Sequence, residues 1–154
     1  MDARPSLTLV RRYRVPVERV WAAWTEPKLL GRWFGPDSGP VLEAETDVRQ
    51  GGRFRIAFRT EDGERHVCLG EYSEVVPHER LAFSWEWITM PEQRSQVVLS
   101  FRETEGETEL TLDHGQFFDE AARDGHREGW SGALDKLGRL LTADAEGAPS
   151  FTGS

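Results

Sequence analysis

The feature that most constrains the fold is a period of two that runs from Val41 to His114 and then stops. In RFRIAFR, Phe54, Ile56 and Phe58 alternate with Arg53, Arg55, Ala57 and Arg59. In LAFSWEW, Leu81, Phe83, Trp85 and Trp87 alternate with Ala82, Ser84 and Glu86. Val97, Leu99 and Phe101 repeat the pattern, and Thr108, Leu110, Leu112 and His114 share one side of the last run. Successive side chains of a strand point to opposite faces, so this pattern describes a sheet with one apolar and one solvated face. Gly51-Gly52, Glu61-Asp62-Gly63, Pro77-His78-Glu79 and Glu105-Gly106-Glu107 supply the turns. The result is an antiparallel meander of about six strands. Gly70, inside RHVCLGEYSEVV, reads as a bulge that bends its strand.

An apolar sheet face must be covered. Only the segment from Phe118 to Thr142 has the length to do it alone, with Trp130, Leu134, Leu137 and Leu141 at helical spacing. A helix of about 25 residues is some 37 Å long, enough to cross a strand of about ten residues. Gly125, Gly129, Gly132 and Gly138 interrupt it. Each costs about 1 kcal/mol relative to alanine, so they signal either close helix–sheet approach or a first half free to move over a pocket. Ahead of the meander, Leu7–Val15 reads as a strand and Pro16 opens a short helix carrying Val17, Val20, Trp21 and Trp24. Thr25 is placed to cap a second short helix, Pro27–Phe34, which Gly35-Pro36 ends. The expected fold is α+β, a curved antiparallel sheet of about seven strands around a long C-terminal helix. It occupies one domain, residues 1–143, with a disordered tail at 144–154. One helix does not usually fill such a concave face, so a cavity is expected between helix and sheet.

Composition narrows the function classes. With 27 acidic against 19 basic residues and a net charge of -8, the chain is a poor partner for nucleic acid or anionic lipid. No apolar run approaches the roughly 20 residues that span a bilayer. A single cysteine, Cys68, excludes an internal disulfide and a CxxC motif. With no signal-peptide pattern at the start, a cytoplasmic location is expected. Six tryptophans and eight phenylalanines build either an aromatic core or the lining of a cavity.

The segments VPVERVWAAWTEPKLLGRWFGP, GGRFRI, GEYSEVVPHERLAFSWEW, FRETEGETELTLDH and GWSGALDKLGRLL resemble, in content and order, bacterial proteins similar to the C-terminal domain of the heat-shock protein 90 ATPase activator. That family lies within the SRPBCC or START-like superfamily. The resemblance spans about Leu7 to Leu141 and implies a helix-grip fold like that of the birch-pollen allergen, with a deep hydrophobic pocket. It implies binding of lipids, steroid-like or polyketide-like molecules. A minority of members are cyclases, hydrolases or oxygenase components, and stress response and a chaperone partner belong to the same resemblance.

Candidate chemistry is sparse. No P-loop, GxGxxG, GxSxG or HExxH occurs. Neither a catalytic set, a metal site nor a cofactor is expected. His66 and Cys68 share a strand face but stand too far apart for an assured thiol–imidazole bond. His114 falls on the apolar side, and His126 lies one turn before Trp130. Such a pair either orients a polar ligand group, acts as acid and base, or is an ordinary hydrogen-bonded interior pair. The alternation puts Glu86 outward, and a bulge would be needed to turn Glu74 or Glu86 inward. The expected ligand-binding residues are Trp33, Phe54, Phe58, Trp85, Trp87, His114, Phe118, His126 and Trp130. Trp33 is expected at the pocket's mouth. The alternatives are a cyclase or hydrolase using His114 and a bound water, and a chaperone-interacting protein using the outer sheet face. A homodimer is compatible with the sequence.

Overall fold

The computed structural model describes residues 4–151, without the side chains of 91–92 and of residues beyond 142. The elements follow the order β1 (Leu7–Tyr13), α1 (Val17–Thr25), α2 (Pro27–Trp33), β2 (Val41–Thr46), β3 (Arg53–Arg59), β4 (Arg65–Val76), β5 (Arg80–Trp87), β6 (Met90–Thr104), β7 (Glu107–Gly115) and α3 (Glu120–Phe151). The sheet is antiparallel, in the order β1-β7-β6-β5-β4-β3-β2. Strands β2 to β7 form the meander, and β1 joins its far edge beside β7. This is the helix-grip arrangement.

The alternation assigns the faces. Phe54, Ile56 and Phe58 are buried and Arg53 and Arg59 exposed. Arg55 is half-buried, paired with Glu43 on the neighbouring strand. Ala57 is buried despite its outward position, because it is short and lies between paired strands at Glu43 and Val67. Glu74 faces outward and pairs with Arg80 at 2.7 Å. Glu86 is half-buried and takes the face opposite Trp85 and Trp87.

Four local expectations change. Thr25 ends α1 rather than capping α2, and its Oγ1 donates to the Trp21 carbonyl at 2.8 Å. The bulge of β4 lies at Tyr72/Glu74, not at Gly70. Gly70 is instead a point of close approach, since a Cβ there would stand 1.9 Å from the Ser84 carbonyl oxygen. Helix α3 starts at Glu120, two residues later than expected, where the Asp119 carboxylate accepts the Ala122 N–H at 2.8 Å. It also runs past Thr142 to Phe151. The expected tail, 144–154, lies outside the described side chains.

Helix α3 is fixed by its middle. Trp130, Leu134, Leu137 and Leu141 are buried, each contributing roughly 1.5–3 kcal/mol by leaving water. The Tyr13 hydroxyl donates to the Leu134 carbonyl at 3.3 Å. Gly132 sits against the loop after α2, where a Cβ would stand 2.4 Å from the Pro36 carbonyl oxygen. Lys136 donates to the carbonyls of Phe34 and Asp37, tying that same loop to the helix. The closest approaches of α3 are therefore to β1, α1 and α2. Among the described residues no helix is long and apolar enough to cross a membrane.

Candidate functional site

Alongside the first turns of α3, from Ala121 to Gly129, a cavity of about 870 Å³ opens to solvent. Small-molecule sites span roughly 300–1,000 Å³. Four parts of the chain build its wall: Phe34–Pro36 after α2, the β3–β4 turn with His66 and Val67, the β5–β6 hairpin, and Phe117–Ala133. Trp85 and Trp87 supply the floor from β5, while His126 and Trp130 face them from α3. At Trp87 the pairing with β6 jumps from Ser95 to Met90, so β6 carries extra residues beside the opening. Ile88, Met90 and Phe118 line the rim and are largely exposed.

The aromatic side chains form a connected wall. Ring centroids run Trp33–Trp24 at 4.8 Å, Trp24–Trp130 at 5.7 Å, Trp130–Trp85 at 5.1 Å and Trp85–Trp87 at 5.4 Å. Such tilted and edge-on contacts suit the charge distribution of aromatic rings.

Two histidines organise the polar atoms of this wall. The Trp130 indole N–H donates to His114 Nδ1 at 3.0 Å. Indole only donates, so Nδ1 carries no proton. The proton of neutral His114 is then on Nε2 and is donated to Ser95 Oγ at 2.7 Å. Ser95 in turn donates to the Trp85 carbonyl at 3.4 Å. His126 has the opposite tautomer. Its Nδ1–H donates to the Ala122 carbonyl at 2.7 Å. Nε2 is left to accept from the indoles of Trp85 at 3.3 Å and Trp87 at 3.1 Å. Desolvation drives the His114 pKa well below its ordinary value, and the nearby His126 adds to this. Desolvation lowers His126 as well, against an opposing contribution from the Ala122 carbonyl. Both rings are therefore neutral near pH 7.

The Ser95–His114 contact looks like half of a nucleophilic dyad. A general base must present an unprotonated nitrogen to the hydroxyl. Here Trp130 forces the proton onto the nitrogen that faces Ser95, so the serine is not activated. Both groups are buried, His114 completely. Among the described residues no three of His, Cys, Asp and Glu are grouped to hold a metal ion.

The nine residues singled out in the sequence divide by depth. Trp85, Trp87, His126 and Trp130 line the cavity, and Phe118 lies on its rim with 59% exposure. His114 sits one layer behind, against Phe117 at 4.2 Å and Trp130 at 6.2 Å. Phe58 backs the wall through Phe34 and Trp87. Phe54 packs on Tyr72 and Phe83, beside a separate void of about 20 Å³. Trp33 does not stand at the mouth. It is buried between the short helices, with its N–H on the Ala23 carbonyl at 2.9 Å. Three ring-bearing lining residues escaped the sequence reading. Phe34 swings in because the loop after α2 is tied to α3. Phe117, rather than Phe118, turns inward because Gln116 adopts a left-handed backbone, φ 63°. His66 stacks on Phe58 at 5.3 Å and contacts Thr60 Oγ1 at 3.2 Å. Its shared face with Cys68 was the available signal.

The family model described as Activator of Hsp90 ATPase homolog 1-like protein matches residues 14–142. Among solved structures, a protein from Nitrosomonas europaea is 26% identical, covering 95% of this chain and 99% of its own, with a TM-score of 0.78. The AHSA1 protein from Silicibacter pomeroyi is 26% identical, with coverages of 91% and 99% and a TM-score of 0.79. A protein from Mycobacterium smegmatis is 27% identical, with coverages of 93% and 98% and a TM-score of 0.77. None of the curated proteins compared with the chain matches it.

Proposed function

We propose a function from one premise: the chain belongs to the family of Activator of Hsp90 ATPase homolog 1-like proteins. The cavity takes up a small apolar molecule of lipid, steroid-like or polyketide-like character, and the protein acts by binding rather than by turnover. The observation that carries this reading is an open cavity of about 870 Å³ in which His126, and His114 behind it, are hydrogen-bonded to the indoles of Trp85, Trp87 and Trp130. Such a wall offers apolar contact area and no activated nucleophile. Trp85, Trp87, His126, Trp130 and Phe118 are the proposed contacts, while Trp33, Phe54, Phe58 and His114 hold the wall from behind. We place this activity in the cytoplasm. A chaperone partner rests on the family's description alone.

Native mass spectrometry of gently purified protein tests the reading directly, through a copurified small molecule. An environment-sensitive apolar dye gives the second measurement. Gly125 lines the cavity, and a Cβ there meets nothing within 4 Å. Gly125→Trp is therefore expected to fill the opening and abolish dye binding while the fold persists. A folded wild type that carries no small molecule and binds no dye overturns the proposal.

A further inference from the structure

Resting on the cavity reading above, we infer that the guest carries an uncharged hydrogen-bond acceptor of carbonyl type, a ketone, ester or amide, which takes the indole N–H of Trp87. A neutral imidazole offers one acceptor nitrogen. His126 has its Nδ1–H committed to the Ala122 carbonyl at 2.7 Å, so Nε2 is that acceptor. Two indole donors converge on it, at 3.3 Å from Trp85 and 3.1 Å from Trp87. One in-plane lone pair satisfies one well-aligned donor, and the second shares it at reduced strength. The wall thus holds one N–H in surplus, and an acceptor entering the cavity relieves it.

Exposure decides which indole is released. Trp85 is buried under Phe34, Trp130 and His114. Trp87 is half-buried and reaches the open side, with Phe58 and His66 as its other neighbours. Trp85 therefore keeps His126, and Trp87 serves the guest.

The charge of the acceptor follows from the walls. Among the described residues, Glu64, Arg65 and Asp119 are the charged side chains of the lining, and all three are exposed. His126 is held neutral. A carboxylate at the Trp87–His126 position would lose its water without gaining a cation, which disfavours it strongly. An ammonium at the same position would face the indole N–H, a donor, with no acceptor left on His126 once Trp85 keeps Nε2. A neutral carbonyl loses little on leaving water and gains one donor.

The test is a thermodynamic cycle with methyl nonyl ketone, undecane and undecanoic acid, each displacing the bound dye at about pH 8, where the acid is ionised. The ratio of ketone to alkane affinity is expected to fall about fivefold in Trp87→Phe, as for one lost hydrogen bond, and taking the ratio cancels the apolar contact that both guests lose with the smaller ring. In the wild type the ionised acid should bind at least about tenfold more weakly than the ketone. The infrared carbonyl band of the bound ketone should lie below its frequency in hydrocarbon. An unchanged ratio in the variant, an acid that binds as well as the ketone, or a hydrocarbon-like carbonyl band overturns the inference. The band is read in the wild type, so the test stands even where the variant fails to fold. Failure of all three probes to displace the dye counts instead against the cavity reading.

Discussion

Replacing Trp130 by phenylalanine keeps most of an aromatic ring in place and deletes one donor, the N–H that His114 Nδ1 accepts at 3.0 Å. The ring contacts to Trp24, Trp85 and Phe34 lie at 5.1–6.0 Å, and a phenyl ring retains much of them. His114 has no exposure, so its orphaned nitrogen cannot turn to bulk water. Leaving a buried acceptor unpaired costs about 1–3 kcal/mol. Truncation to alanine removes the ring too, and costs about 3–5 kcal/mol. With a urea m-value near 2 kcal/mol/M, the phenylalanine variant should unfold at a midpoint roughly 0.5–1.5 M lower. Urea unfolding followed by far-UV circular dichroism, at constant m, measures this. Nitrogen-detected NMR gives the same contact independently, with His114 protonated on Nε2 and bare on Nδ1 in the wild type. A phenylalanine variant as stable as wild type, or a proton on Nδ1, refutes the reasoning.

The two histidines also set a pH dependence. Their folded-state pKa values lie below the unfolded value near 6.5, so the unfolded chain binds more protons at lower pH. Their contribution is complete above about pH 6.5 and is lost as pH falls through the folded values, by up to about 1.4 kcal/mol per unit for each group. Urea midpoints between about pH 5 and 7.5 should fall toward acid, and His114→Gln should flatten the slope; an unchanged slope counts against buried neutral His114. Gly125→Ala should raise stability by about 0.5–1 kcal/mol, because the added methyl group meets nothing within 4 Å. Gly132→Ala should lower it, because its Cβ would strike the Pro36 carbonyl oxygen at 2.4 Å. Equal effects in thermal denaturation would mean that α3 does not touch that loop. Cys68 is fully buried and burial pushes its thiol pKa up. An aromatic disulfide reagent should modify it only as fast as the protein opens, and rapid reaction with native protein would contradict its position.

How much of this was legible depends on which property is asked for. Face was legible, because a period of two fixes it locally: Phe54, Phe58, Trp85 and Leu112 all point inward as the alternation requires. Depth was not. Phe54 and Trp85 share a face, yet only Trp85 meets the cavity. The difference depends on where α3 touches down, and that is set at Gly132 on Pro36 and at Lys136 on the Phe34–Asp37 loop, contacts about a hundred residues apart. The choice between Phe117 and Phe118 turned on the backbone angle of Gln116, to which side-chain patterning is blind. His114 and His126 could be placed on inward stripes, but their tautomers follow from partners on other elements. The same holds for the difference between an activated serine and an inert one.

The chain of indoles from Trp33 through Trp24, Trp130 and Trp85 to Trp87 has an optical consequence. Neighbouring rings 4.8–5.7 Å apart exchange excitation far faster than they emit. Light absorbed by any of the five is emitted from whichever ring has the lowest excited state. Trp21, whose ring pairs with Phe101 and His78, stands outside those contacts. The emission is therefore a property of the wall as a whole. Where Trp87 is the lowest of the five, a guest that touches it alone dims or shifts light first absorbed at Trp33, deep among the short helices, and the anisotropy of that light is low even when the protein does not tumble.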